Sequence, residues 1–353
     1  MWGLVVPEPR AAVLNTPFDE HGGPDGRGQK LLDFSVNSNP FGPPAQLLLF
    51  LESSDLSRYP DPTACEARVA LAQHHGVEPE RVVMGNGTAE LIHRVAACYL
   101  QSGKRVVIAT PTFGEYRRAS SLYGAEVANV DCYLDEQPDA SALLDEIHSF
   151  KPALVWLCHP NNPTGHAWSP EQLAEVAVLC SEQDALLCLD AAYLSLSEVA
   201  PSLPEKALQF YSLTKSFCIP GLRVGYATAP VEVAQALRRV AAPWQASTHA
   251  QRAAIWAVSQ AGQSFLAETV PHLLEHRNKF QTNLTALGAS LLPTQTSFFL
   301  CEVGNATALK REAEEAGFRV RDGSSFGLPN HIRLATRLPE DNQNLLEWWA
   351  RCD

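Results

Sequence analysis

Between residues 46 and 250 the chain alternates short, unbroken apolar runs with stretches of helical period, a pattern that few folds accept. The apolar runs are Val82–Met84, Val106–Ala109, Leu154–Cys158, Leu186–Leu189, Leu208–Ser212 and Val224–Ala229. Helix-period stretches such as Ala89–Leu100 and Pro170–Ser181 separate them. A strand that is apolar along its whole length is buried on both faces, and a helix between strands makes the connection a crossover. The expected fold class is therefore α/β, with a mostly parallel central sheet sandwiched by helices. In such sheets ligands bind beyond the carboxyl ends of the strands, so the loops that follow these runs are where chemistry is expected.

The texture changes at both ends. Residues 1–45 are rich in Pro, Gly and Asp, as in Asp19-Glu20-His21-Gly22-Gly23-Pro24-Asp25-Gly26, and read as an extended arm with one short strand at Leu31–Val36. Residues 251–353 read as a smaller α+β domain after the 46–250 domain. It should hold a long helical stretch near Ala250–Leu287 kinked or broken at Pro271, a strand Ser297–Val303 and a helix Ala306–Ala316. Strands near Arg319 and His331–Ala335 and a closing helix Glu340–Trp349 complete it.

The net charge of −12 argues against nucleic acid or an anionic membrane as partner, and an anionic substrate would need a local cluster of arginines. Leu47-Leu48-Leu49-Phe50-Leu51 is too short to span a bilayer. Nine cysteines are scattered without a C-x-x-C, most within apolar runs, which suits reduced thiols better than a disulfide frame or a zinc site. The histidines show no metal-ligand spacing, so no metal is expected. The first twenty residues carry Glu8, Asp19 and Glu20 and no basic start followed by an apolar core, so a cytoplasmic protein is expected.

Ser212-Leu213-Thr214-Lys215-Ser216-Phe217-Cys218-Ile219-Pro220-Gly221-Leu222-Arg223 surrounds one amine with hydroxyls and sets an arginine beyond it. Nearby cationic charge and desolvation keep a lysine partly unprotonated, as condensation with an aldehyde requires. Ser212, Thr214 and Arg223 are groups suited to a phosphate dianion. Aldehyde, phosphate and lysine together suggest pyridoxal phosphate; the alternative is a lysine in a surface loop. Gly85-Asn86-Gly87-Thr88-Ala89-Glu90 opens a helix whose bare N–H groups suit an anion, or is a plain tight turn; Glu90 at the third glycine position speaks against a dinucleotide fingerprint.

Other loops supply further candidates. Phe113, in Pro111-Thr112-Phe113-Gly114-Glu115-Tyr116, either stacks on a flat ring or packs in the core. Asn162, in His159-Pro160-Asn161-Asn162-Pro163-Thr164-Gly165, either donates to a phenolate oxygen or shapes a turn. Asp190, in Asp190-Ala191-Ala192-Tyr193, needs a cationic partner such as a protonated pyridine nitrogen, or caps a helix; Tyr193 shares the phenolate with Asn162. Arg333 and Arg337 offer bidentate contacts to anionic substrate groups, or are surface arginines.

The order G-N-G-T, P-T-F-x-x-Y, N-N-P-T-G, D-x-A-Y, S-x-T-K and G-x-R, running from 85 to 223, resembles the class I/II aminotransferases of fold type I, which are pyridoxal-phosphate-dependent transferases. Within them the chain is similar to the histidinol-phosphate aminotransferase branch and to the threonine-phosphate decarboxylases. The resemblance covers nearly the whole chain. It implies that Lys215 bonds the cofactor's aldehyde and shuttles protons, Asp190 pairs with the pyridine nitrogen, Asn162 and Tyr193 hold the ring oxygen, and Phe113 stacks on the ring. It implies a phosphate site of Gly87, Thr88, Ser212, Thr214 and Arg223. Tyr59, in Arg58-Tyr59-Pro60-Asp61-Pro62, would reach the phosphate of a neighbouring subunit in a homodimer with shared sites. Arg333 matches the arginine that binds the substrate carboxylate.

The string Asp33-Phe34-Ser35-Val36-Asn37-Ser38-Asn39-Pro40-Phe41-Gly42-Pro43-Pro44 resembles the substrate-covering segment of both branches. His21-Gly22-Gly23 and Arg337 lean toward the decarboxylases, and Arg321 and Asn37 join Arg333 and Arg337 as substrate candidates. Ala191 departs from the family's usual D-E-A-Y, which leaves the cofactor contacts intact but loosens the subfamily. The resulting expectation is an aminotransferase of amino-acid biosynthesis that moves an amino group from an amino acid or phosphorylated amino compound to a 2-oxo acid. Decarboxylation is the alternative, and a carboxylate clamped by Arg333 in the ring plane favours the first. A non-catalytic cofactor-binding module is the reading from another class.

Overall fold

The computed structural model describes residues 8–18, 22–23, 30–133 and 138–352. Most of the Asp19–Gly26 stretch, including His21, lies outside the described residues. The first strand, β1 (Leu32–Asp33), pairs in parallel with a strand from the far end of the chain rather than with its neighbours in sequence.

The central sheet is built from β2 (Val82–Gly85), β3 (Arg105–Thr110), β4 (Glu126–Asp131), β5 (Leu154–Cys158), β6 (Leu186–Asp190), β7 (Leu208–Tyr211) and β8 (Gly225–Thr228). Its order is β2-β8-β7-β6-β5-β3-β4. The ladders among β3 to β7 are parallel, and β8 runs antiparallel to both β7 and β2. Period-two alternation divides the strand side chains between two helical layers. Val106, Ile108 and Trp156 meet Leu91, Ile92 and Val95 of the helix Thr88–Tyr99, whereas Val107, Val155 and Leu157 meet Leu143, Ile147, Leu173 and Val176. The strand β4 has no apolar run in the sequence because it lies at the sheet edge and is half exposed.

Local signals set the helix starts. Ser169 accepts from Gln172 N while Gln172 reaches back to Ser169 N, a capping box, with Pro170 in the first turn of Pro170–Glu182. The expected break at Pro271 does not occur. The helical stretch is interrupted at Val258–Ser259 instead, giving the helices Thr248–Ala257 and Gln260–Ala286, with Pro271 inside the second. Ser259 starts the second helix by accepting from Gly262 N at 3.3 Å, and a side chain at Gly262 would collide with the Trp256 and Ala257 carbonyls. That tight reversal, and not the proline, decides where the stretch divides.

The carboxyl-terminal part carries β9 (Ser290–Leu291), β10 (Phe298–Glu302), β11 (Phe318–Arg319), β12 (Arg321–Asp322) and β13 (His331–Ala335). β12-β13-β10-β9 form a second, antiparallel sheet, and β11 is the partner of β1. Phe34 is fully buried here, 6.0 Å from the Phe280 ring and 6.3 Å from that of Phe318. The segment after β1 thus joins the far end of the chain to the edge of the large sheet.

Candidate active site

The lysine turn leaves β7 at Tyr211 and forms a single helical turn, Leu213–Ser216, with Ser212 Oγ 2.8 Å from Thr214 Oγ1. Register brings the other phosphate candidates to the same edge. Tyr211 pairs with Tyr226 and Gly85 with Gly225, so Ser212, Gly87–Thr88 and Arg223 all emerge beside one another. Gly87, at φ 82°, heads the helix Thr88–Tyr99, and a Cβ there would lie 2.5 Å from Arg223 Nη2. A Cβ on Gly225 would lie 2.8 Å from Thr88 N. Two glycines without side chains, a pair of hydroxyls, a guanidinium and free helix N–H groups form a cradle whose donors suit a phosphate dianion.

Asp190 ends β6 and is 3% exposed. Its Oδ2 accepts from the Tyr116 hydroxyl at 2.7 Å and its Oδ1 from Ala192 N at 3.0 Å. Burial holds its carboxyl above the usual range, against these donors and the Lys215 charge. Phe113 is half-buried and meets the Tyr116 ring edge-on at 5.7 Å. Tyr193 is buried, T-shaped to Phe298 at 4.8 Å, and burial pushes its hydroxyl up to about 12. Asn37 is 1% exposed; its amide faces the Tyr193 hydroxyl, yet neither its Oδ1 nor its Nδ2 reaches full hydrogen-bond geometry. An unpartnered buried amide is costly unless a ligand takes it up, so Asn37 fits a bound group as the phosphate cradle does.

The arginines differ in what they hold. Arg333 on β13 is buried, donates to Asn162 Oδ1 and the Ser35 carbonyl, and has no partner at Nε. Arg321 on β12 pairs with it in register, donates to Ser325 Oγ at 2.6 Å and lies 5.0 Å from the Phe326 ring. Arg337 is closed on Asp341 at 3.0 Å and the Asp33 carbonyl at 3.2 Å. A cavity of about 560 Å³ opens beside Phe113 and Phe326.

Burial, then the charges of Arg333 and Arg223, lower the Lys215 amine to about 8, with Cys218 and Asp33 opposing. Burial lowers Arg333 to about 10. The Lys215 carbonyl accepts from Asn39 N at 2.9 Å, which ties the segment after β1 to the lysine turn.

Most of the residues singled out in the sequence therefore converge. Tyr59 does not: it is 79% exposed and stacks on Trp244 at 4.5 Å. Three contributors had no role from sequence, namely Tyr116 on Asp190, Ser35 on Arg333 and Asn39 on Lys215. Tyr116 was findable, because it stands three residues after Phe113 in the same string and meets its ring edge-on. Ser35 and Asn39 act through backbone groups, which no residue type announces. Among the described residues no group of three or more His, Cys, Asp and Glu could hold a metal ion, and no helix is long and apolar enough to cross a membrane.

The family model described as aminotransferase class I and II matches residues 29–347. Histidinol-phosphate aminotransferase 1 of Bacillus cereus is 31% identical over 330 residues, covering 90% of this chain and 88% of that protein. Histidinol-phosphate aminotransferase of Caldanaerobacter subterraneus subsp. tengcongensis is 29% identical, covering 88% and 90%. Among solved structures, histidinol-phosphate aminotransferase from Sinorhizobium meliloti in complex with pyridoxal-5'-phosphate superposes with a TM-score of 0.88 at 23% identity, covering 98% and 97%. Aspartate aminotransferase from Thermus thermophilus with maleate gives 0.82 at 25% identity, covering 92% of each chain. The fold is that of fold type I. With the model match spanning nearly the whole chain over a phosphate cradle, a buried aspartate and a lysine of lowered proton affinity, the chain belongs to the class I and II aminotransferases and is a pyridoxal-phosphate-dependent transaminase.

Proposed function

We propose that this transaminase exchanges an amino group between a 2-oxo acid and either an amino acid or a phosphorylated amino compound like histidinol phosphate. The observation that carries the reading is Arg333. Its guanidinium is 5% exposed, its Nε is unpartnered, and no carboxylate forms an ion pair with it among the described residues. A buried charge without a counter-ion is a site for an anion. An amino acid brings a carboxylate and a phosphorylated amine brings a phosphate, and Arg333 with the open Asn37 amide could receive either. The relatives named for histidinol phosphate support the phosphorylated class.

Bound pyridoxal phosphate supplies an electron sink for the carbon that carries the amine. In this reading Gly87, Thr88, Ser212, Thr214 and Arg223 hold its phosphate, and Asp190 sets a negative charge against its ring nitrogen. Asn162, whose Oδ1 is taken by Arg333, is left with its amide N–H for the ring oxygen, beside the Tyr193 hydroxyl. Phe113 covers the ring face. Lys215, with its amine lowered to about 8, takes the proton from the amine-bearing carbon and returns it. Arg337 and Arg321 are assigned to the distal end of the substrate; Arg337 must leave Asp341 to take part.

Tyr59, exposed with Trp244 and with Leu48, Leu49 and Leu56, is assigned to the cofactor phosphate of a partner subunit in a cytoplasmic homodimer. The deciding experiment is a substrate panel of histidinol phosphate, threonine phosphate and common amino acids with 2-oxoglutarate as acceptor. Glutamate formation with histidinol phosphate is the expected result. Carbon dioxide release without keto product would overturn the reading.

A further inference from the structure

Asp190 meets a second side chain that the roles above leave out. Tyr116 lies fully buried on the helix Glu115–Leu122, and its hydroxyl donates to Asp190 Oδ2 at 2.7 Å. Its ring stacks flat on Trp156, with centroids 4.9 Å and planes 6° apart, and the Phe113 edge closes on it at 5.7 Å. Trp156 belongs to β5, which sits between β3 and β6 in the sheet interior, and is 1% exposed. The phenol therefore cannot swing away from the carboxylate without opening the core.

We propose that Tyr116 is a positioning residue for the transamination: its hydroxyl keeps the Asp190 carboxylate ionised and turned toward the cofactor's ring nitrogen, with Trp156 as the plate that fixes the phenol. The physical ground is a contest at Asp190. Burial in this layer favours the neutral acid, whereas donors to its oxygens favour the anion. Asp190 has two such donors, one a backbone N–H that the fold supplies in any case. The other is the Tyr116 hydroxyl, which a single substitution removes. The proposal rests on Asp190 facing the ring nitrogen, and the test below separates the two.

Three other titratable groups face Asp190: Cys158 from β5, Tyr193 from the loop after β6, and Lys215 from the lysine turn. Burial holds the Cys158 thiol far above its usual range and Tyr193 at about 12, so both stay neutral in an acidic titration. Lys215, at about 8, gains its proton before the acidic range is reached. Among the protein groups around it, Asp190 is then the one left to titrate, and the part of the acid limb that Asp190→Asn removes reports it.

The dissociation constant of pyridoxal phosphate, followed by visible absorbance and dialysis across pH, should be compared in the wild type, Tyr116→Phe, Asp190→Asn and Tyr133→Phe. A hydrogen bond to a charged group is worth about a tenfold change or more, so Tyr116→Phe should bind the cofactor about tenfold more weakly and lose it about one pH unit higher on the acid side. Its kcat should fall while KM stays. Tyr133→Phe deletes another buried hydroxyl, one that donates to the Cys158 carbonyl at 3.0 Å; it should lower Tm and leave the limb in place. An unchanged affinity and limb in Tyr116→Phe, beside loss of cofactor in Asp190→Asn, would overturn the Tyr116 inference alone. Normal binding and an unmoved limb in Asp190→Asn would remove the reading beneath it. If Tyr116→Phe does not fold, Trp156→Phe carries the test, and an unmoved limb there counts against the proposal.

Discussion

Replacing Arg333 by Met removes a guanidinium that is 5% exposed and forms no ion pair with a carboxylate among the described residues. Burial lowers this group well below the ordinary arginine range, to about 10, which corresponds to roughly 3 kcal/mol of unfavourable charge burial. For a base held below its ordinary value, that penalty is present in full below about pH 10 and is relieved only as pH rises from there toward the ordinary arginine range. Across the working range it is constant. Deleting the charge relieves it but orphans Asn162 Oδ1 and the Ser35 carbonyl, at about 1–3 kcal/mol each. The terms nearly cancel, so Tm should move by only a few degrees. Function should respond quite differently. Losing the charged contact to a substrate carboxylate or phosphate is worth roughly 2–5 kcal/mol, so kcat/KM for the amino donor should fall by about thirtyfold or more. Arg277 is the comparator: it donates to Glu198 at 2.7 Å and the Thr296 carbonyl at 3.0 Å, far from this chemistry in role. Arg277→Met should cost about 2 kcal/mol of stability and leave KM alone. Thermal melts and steady-state kinetics on both variants decide the matter. If Arg333→Met melts as low as Arg277→Met, or keeps its KM, Arg333 is a structural residue.

Lys215→Ala should abolish turnover and the visible absorbance of lysine-bound cofactor while the fold, read by circular dichroism, persists. Cofactor capture by the unloaded protein should accelerate as pH rises through about 8, where the Lys215 amine loses its proton. Stopped-flow rates should place the Arg333→Met midpoint higher, since the Arg333 charge helps to lower that amine. Gly87→Ala puts a Cβ 2.5 Å from Arg223 Nη2 at φ 82°, so the guanidinium must move. Cofactor affinity by dialysis should drop about tenfold for a strain near 1–2 kcal/mol. Tyr59→Phe should weaken the cofactor in an assembly that sediments at twice the chain mass; an unaltered affinity would leave Tyr59 without its assigned role.

Much of the large sheet was legible because burial on both faces leaves a mark in sequence. The runs at Val106–Ala109, Leu154–Cys158 and Leu186–Leu189 became β3, β5 and β6 within a residue of their ends. The edge strand β4 left no such mark, since half of Glu126–Asp131 faces solvent. The direction of β8 was equally silent: an apolar strand reads alike in a parallel or an antiparallel ladder. Pro271 misled as a breaking point, because it lies inside the continuous helix Gln260–Ala286 and the stretch divides at Val258–Ser259 instead.

The sequence by itself determined which chemical groups are present and the order in which loops present them: a lysine among hydroxyls, an aspartate ending a buried strand, an amide between prolines, glycines before a helix. Those are local patterns, written in residue type and spacing. Only the tertiary structure decided which groups remain unsatisfied. Arg337 meets Asp341 and is closed, whereas Arg333, beside it on the chain, meets an amide and a carbonyl and keeps its charge unpaired. Asn37 ends with an open amide, and Tyr116 ends on Asp190 through a contact 74 residues apart in sequence. Burial and partnership depend on chain segments far apart in sequence, and they set the free-energy cost of each charge. The choice between a structural arginine and a substrate arginine therefore lies in the packing.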